Sequence, residues 1–163
     1  MEFRHATQND LPRIVEIYNS TIDSRQSTAD TEPVTVEDRQ AWFDRHNPDA
    51  RPLMVLQDQQ QQVVAWFSFE SFYGRPAYQN TVELSIYIDP EMRGQGMGKT
   101  LITEALELAA RLNIKSIVGF VFAHNTPSMR LLTNFGFEQW GLLPDVAEMD
   151  GNSYSLAILG RKL

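Results

Sequence analysis

The stretch from Val82 to Leu112 constrains this chain more than any other. Val82-Glu83-Leu84-Ser85-Ile86-Tyr87-Ile88 alternates in polarity and is rich in β-branched residues, the pattern of a strand with one buried face. Asp89-Pro90 ends it, since proline brings no N–H to a ladder. A glycine turn follows, Arg93-Gly94-Gln95-Gly96-Met97-Gly98, and then Leu101, Ile102, Ala105, Leu108, Ala109 and Leu112 recur at helical spacing. A strand, a glycine turn and a helix N-terminus in that order make an anion site. The first-turn N–H groups lack intrahelical acceptors, and the helix dipole adds about half a positive charge. Glycines let the backbone approach a phosphate, and Arg93 and Lys99 bracket the turn with charge. The plain alternative is that Gly94, Gly96 and Gly98 only make a tight turn.

Around this unit the pattern predicts a single domain, 1–163, with no linker or repeat. Phe3 to Ala6 reads as a short strand. Thr7-x-x-Asp10 opens a helix carrying Leu11, Ile14, Val15, Tyr18 and Ile22, and Thr35-x-x-Asp38 opens a second, with polar loop from Asp23 to Pro33 between them. Leu53–Leu56 and Val63–Phe67 read as two strands joined by the glutamine-rich tip 57–62. Ser116 to Phe122 is a further strand, Ser128 to Phe135 a helix stopped at Gly136, and 138–143 and 153–159 two closing strands. Trp42, Trp66 and Trp140 read as core. The order β-α-α-β-β-β-α-β-α-β-β implies an α/β (α+β) mixed sheet with helices on both faces.

Composition closes off other classes. Lys and Arg number 14 against 21 Asp and Glu, a net charge of −7, so no basic field recruits nucleic acid. There is no cysteine, and His5, His46 and His124 are scattered, which argues against thiolate, disulfide and metal chemistry. No apolar run has the length of a membrane span or a leader, so the expected setting is the cytoplasm, away from membranes.

Two phosphate-loop patterns fail by inspection. In G-x-x-x-x-G-K-[ST], Gly98-Lys99-Thr100 supplies the end, but the first glycine falls on Arg93. In G-x-G-x-x-G counted from Gly94, the last glycine falls on Lys99. A third pattern fits. Arg93-x-x-Gly96-x-Gly98, together with Asn125-x-x-Ser128-x-x-Leu131 and Phe135-Gly136-Phe137, resembles the GNAT superfamily of N-acetyltransferases. Over nearly the whole chain the likeness is to its phosphinothricin N-acetyltransferase-like branch, which includes L-amino acid and methionine sulfoximine acetyltransferases. Ile17-Tyr18-Asn19, Thr31-Glu32-Pro33, Arg75-x-x-Tyr78 and Thr81-Val82-Glu83 carry it. Thr28 to Thr35 and Ala147 to Gly151 are similar to a bacterial subgroup of that branch.

The resemblance implies the acyl-CoA N-acyltransferase fold, acetyl-CoA as co-substrate, a small-molecule amine as acceptor, and a homodimer. It places Arg93, Gly94, Gln95, Gly96, Met97, Gly98 and Lys99 on the pyrophosphate and Ile86, Tyr87 and Ile88 along the pantetheine, with the Ile88 N–H as oxyanion donor. Glu83 stands at the branch's base position, on the strand face shared with Ser85 and Tyr87; without the family it would read as a solvent-facing strand residue. Asn125 and Ser128 fall on the cofactor by the same likeness, although Asn125 also reads as a helix cap, and Asn134 as cofactor contact or helix end. Seven residues after Asn125, where relatives carry Tyr or His as general acid, stands Leu132, which donates nothing.

For the acceptor, Phe72-Tyr73-Gly74-Arg75-Pro76-Ala77-Tyr78 sets aromatic rings around one cation, and guanidinium grips a carboxylate or phosphinate with two bonds. Phe72, Tyr73, Arg75 and Tyr78 are the candidate acceptor residues, with Glu32 and Glu83; a solvated surface loop is the plain alternative. The expected activity is transfer of acetyl to the amine of a small amino acid or analogue. Its rivals are transfer to a peptide N-terminus or polyamine, and an acyl-CoA sensor without turnover.

Overall fold

Of the two N-terminal helices, only the second begins on side chains that tie down its free first-turn amides. The structure, a computed structural model, describes residues 1–163. Strand β1 spans Glu2–His5, helix α1 Leu11–Asn19 and helix α2 Val36–Asp44. At α2 the Thr35 hydroxyl accepts from Asp38 N–H while Asp38 accepts from Thr35 N–H, a reciprocal cap. Before α1 the Thr7–Asp10 pair caps a single 3₁₀ turn, Gln8–Asp10, instead of the α-helix itself. The long helix expected through Ile22 also stops early. Ser20 and Thr21 hydroxyls donate back to Ile17 and Tyr18 carbonyls, and a separate 3₁₀ turn, Ile22–Ser24, ends on Arg25 at φ 57°. The apolar face survives the break: Leu11, Ile14, Val15, Tyr18 and Ile22 are all buried.

Asp10 is the most heavily bonded carboxylate here, taking two bonds from the Arg4 guanidinium (2.7 and 2.9 Å) and one from Thr7 N–H. The Arg4 hydrogen bonds hold its carboxyl below the ordinary range. Asp10→Asn is expected to cost about 2 kcal/mol in urea unfolding at neutral pH. Because the folded carboxyl titrates below the unfolded one, the difference is complete above about pH 4 and fades as pH falls through the folded value.

Strands β2 (Leu53–Gln57) and β3 (Val63–Ser71) form the expected hairpin, whose tip is closed by Asp58 Oδ1 accepting from Gln60 and Gln62 N–H. Strand β4 (Thr81–Ile88), helix α3 (Met97–Arg111), strand β5 (Ser116–Phe122), helix α4 (Thr126–Asn134) and strands β6 (Glu138–Met149) and β7 (Asn152–Lys162) follow. The seven strands lie in the order β1-β2-β3-β4-β5-β7-β6, antiparallel except for β4 with β5. Helices α3 and α4 cover one face over Phe67, Phe69, Leu101, Ile102 and Leu132; α1 and α2 cover the other over Trp42, Val55 and Trp66.

The closing strands run well beyond the expected 138–143 and 153–159. They meet at a two-residue turn, Asp150-Gly151, both at positive φ, as a tight hairpin of matching twist requires. An irregularity between Leu143 and Ala147, around Pro144 and Asp145, breaks the alternation that would have marked the outer half. Trp140 is a correction: Trp42 and Trp66 are core, but Trp140 is 44% exposed and lies flat against Gly160, where a Cβ would occupy the ring's place.

Candidate active site

Strands β4 and β5 pair for three residues and then part. Thr81, Val82 and Glu83 face Ser116, Ile117 and Val118, and nothing pairs beyond them. Leu84 to Ile88 on one side and Gly119 to Phe122 on the other wall a cleft of about 740 Å³. Backbone direction follows from one bond. Asp89 N–H donates to Val64 O on β3, so by alternation Tyr87, Ser85 and Glu83 turn their amides to β3, and Ile86 and Ile88 turn theirs into the gap. The strand end is anchored by Asp89, which pairs with Arg13 and caps the turn Pro90–Met92.

At the cleft's mouth stands the glycine turn. Gly94 and Gly96 are at φ 74° and 81°, and Gly96 is the N-cap of α3. The first backbone bond into this helix is Thr100 N–H to Gly96 O, and the six N–H groups from Gly94 to Lys99 donate to no protein acceptor. Arg93 reaches only long contacts, 3.4 Å to Ser20 Oγ and to Ile88 O, and Lys99 has no ion-pair partner. Gly98 allows α4 to come close, since a Cβ there would sit 2.6 Å from Leu131. Six aimed donors, a helix dipole and two cations fit a pyrophosphate, and the narrow strand gap fits an extended chain behind it.

Of the residues expected on the cofactor, Ile86, Tyr87, Ile88, Arg93, Gly94, Gly96, Met97, Gly98, Lys99, Asn125 and Ser128 line this cleft. Gln95 contributes a free N–H, but its side chain bonds back to Glu91 O. Asn134 lies elsewhere, exposed at the end of α4 beside a separate depression with Trp140 and Arg161. Asn125 already serves the protein with both amide atoms: Oδ1 caps α4 at Ser128 N–H, and Nδ2 donates to Gln26 O. That second bond brings in a wall the sequence did not announce, Thr21, Ser24, Gln26 and Ser27. Leu132 faces the cleft among apolar neighbours. The Tyr87 phenol, pushed up by burial, stays protonated and points at Ser27 O, 3.5 Å away.

On the α1/α2 face of the sheet, β3 and β4 present matched pairs: Trp66 stacked on Tyr87 at 4.7 Å, Ser68 beside Ser85, and Glu70 beside Glu83. Glu83 is half-buried and makes no hydrogen bond or ion pair; burial, and then the charge of Glu70, push its carboxyl up. Glu83 is thus on the sheet face next to the parting point, one residue from the first cleft residue of β4, Leu84. The loop from Phe72 to Tyr78 springs from this same end, its three rings clustered at 4.6–6.1 Å and Tyr73 78% exposed. Arg75 is exposed and unpaired, and Glu32 is exposed in the loop before α2. Neither lines the cleft.

Residues 14–137 match the acetyltransferase (GNAT) family. YwnH of Bacillus subtilis, which carries the provisional name phosphinothricin acetyltransferase, is 55% identical over 100% of this chain and 99% of its own. An L-methionine sulfoximine/L-methionine sulfone acetyltransferase of Pseudomonas aeruginosa is 30% identical over 96% of this chain and 91% of its own. A crystal structure of a GNAT superfamily phosphinothricin acetyltransferase from Sinorhizobium meliloti, in complex with acetyl-CoA, superposes with a TM-score of 0.92 at 28% identity, covering 99% of this chain and 88% of that one. The chain belongs to the acetyltransferase (GNAT) family and is an acetyltransferase.

Proposed function

We propose that this enzyme moves the acetyl group of acetyl-CoA directly to the primary amine of a small amino acid or analogue, of the phosphinothricin or methionine sulfoximine type. The observation that carries this is the parted β4–β5 pair with six unpartnered N–H groups at its mouth. The N–H groups from Gly94 to Lys99 take the pyrophosphate. The pantetheine lies against Ile86, Tyr87 and Ile88, in the place of the missing ladder. Glu83 takes the proton of the acceptor's ammonium. The freed lone pair attacks the thioester carbonyl, whose oxygen gains negative charge beside the Ile88 N–H, a donor worth about 3 kcal/mol in such a transition state. The C–S bond breaks, and the thiolate, with an ordinary thiol pKa of about 8.5, is protonated by solvent since Leu132 offers no proton.

Arg75 and the rings of Phe72, Tyr73 and Tyr78 grip the acceptor's anionic tail. A homodimer accounts for the exposed Trp140, Leu142, Leu143 and Val146 on the outermost strand. A cytoplasmic setting accords with the lack of cysteine, and no helix is long and apolar enough to cross a membrane. The test is CoA thiol release from acetyl-CoA with phosphinothricin, methionine sulfoximine, free amino acids, spermidine and a short peptide. Turnover is expected with amino-acid-like acceptors. A preference for spermidine or the peptide overturns the acceptor class, and failure to bind acetyl-CoA overturns the whole reading.

A further inference from the structure

Two like charges directly across a strand ladder repel, yet Glu70 and Glu83 face one another in an unbroken register from Ala65↔Ile88 to Ser71↔Val82. Their backbones exchange hydrogen bonds, by the same alternation that turns Glu83 to β3, and their side chains leave the sheet on one face. Their surroundings differ. Glu70 has a cation, Arg45 Nη2 at 3.5 Å from its Oε1, at the end of α2. Glu83 has none and is the carboxylate next to the point where β4 and β5 part. When two carboxyls share a site, the one with the cation stays ionised and the other takes the proton.

We propose that Glu70 is a positioning residue for the transfer: its ionised carboxylate, held by Arg45, makes Glu83 the member of the pair that accepts and keeps the acceptor's proton. This rests on Glu83 being the base. The direction in which Glu83 is displaced, with Glu70 as the charge that displaces it, agrees. The other groups around the pair are few. Just past α2 come Arg45 and His46; burial pushes the His46 imidazole down, against the charge of Glu70, and its buried Nε2 has no partner. Arg39 lies over Tyr18 and Trp42, near the Tyr87 end of the ladder. On β4 itself stands Tyr87, protonated throughout. At the far end of β3, Arg51 bonds Ser71 Oγ and Gln79 O. Toward β5, Val118 carries no charge, and Lys162 bonds Ser116 Oγ, level with Thr81. None except Arg45 forms an ion pair with either carboxylate.

The experiment is the pH profile of kcat/KM for CoA release with an amino-acid acceptor, between pH 4 and 8, for five proteins. In the wild type, activity is expected to rise with pH along a limb above the ordinary carboxyl range. Glu70→Gln should move that limb down by roughly one pH unit, Glu70→Asp should leave most of it in place, and Arg45→Gln should move it up. A merely structural role for Glu70 would change the height of the profile and leave the limb where it is. That result, with the limb still abolished in Glu83→Gln, overturns the proposal and leaves Glu83 as base. A Glu83→Gln enzyme with wild-type rate and limb overturns both.

Discussion

Glu83→Gln is expected to lower turnover by about a thousandfold while leaving acetyl-CoA affinity unchanged. The amide keeps the shape of the side chain and cannot accept a proton, so the ammonium of a bound amino acid stays protonated and its nitrogen has no lone pair to offer. Binding of the donor is untouched because the donors from Gly94 to Lys99 and the gap between β4 and β5 lie on other atoms. Stability should not fall, which separates this effect from damage to the fold. Glu83 makes no hydrogen bond or ion pair that glutamine would lose, and it faces a like charge. Its folded carboxyl holds the proton more tightly than the unfolded chain does. The wild type is therefore penalised once pH rises past the folded value, and Glu83→Gln escapes that penalty. Thermal unfolding at neutral pH should place the variant at or above the wild type. A weakly basic amine that is already neutral at the assay pH needs no base, so the variant should recover much of the lost rate with it. Wild-type turnover of an ordinary amino acid by Glu83→Gln would remove this residue from the mechanism.

What the sequence made legible follows from which signals are local. The order of strands and helices was readable because each element carries its own period, and the cap at Thr35–Asp38 because capping is a matter of three residues. The break after Asn19 was not, since it turns on hydroxyls of Ser20 and Thr21 bonding backward while the apolar face continues through it. The outer half of β6 was lost because Pro144 and Asp145 interrupt alternation where one face meets solvent. In the cleft, the turn from Arg93 to Lys99 announced itself by its glycines. Its opposite wall did not: Ser24, Gln26 and Ser27 sit in a polar loop and are placed by distant bonds, Asn125 to Gln26 O and His124 to Arg25 O. Glu70 was passed over for the same reason, as its meaning comes from register with Glu83, a fact of pairing that a strand's own residues do not carry. Asn134 shows the converse, where likeness to the family marked a residue that lies outside the cleft, at the helix end that was its plain alternative.

Gly96→Val is expected to weaken acetyl-CoA binding by about a hundredfold and to leave a truncated donor, S-acetyl-pantetheine, nearly unaffected. Gly96 is at φ 81°, ψ 7°, a conformation that costs a side-chain-bearing residue roughly 1–2 kcal/mol and a β-branched one more. There is nothing within 4 Å of where its Cβ would stand, so the penalty comes from the backbone alone. The chain relieves it by leaving the left-handed region, and the amides on either side then swing off their common centre. Each N–H to a charged oxygen contributes about 1.5–3 kcal/mol, so misdirecting one or two of the six accounts for the loss. The side-chain series should follow dihedral tolerance: Gly96→Asn mildest, since asparagine enters this region most readily, then Gly96→Ala, then Gly96→Val. Melting temperature should fall by no more than several degrees, because Gly96 is exposed and only the backbone cost is at stake. The truncated donor has no pyrophosphate and uses only the β4–β5 gap, so its kcat/KM reports the gap without the turn. If both donors weaken together, the variant has disturbed the strands and the turn is not where the phosphates bind. If neither weakens, the glycines from 94 to 98 make a tight turn and nothing more.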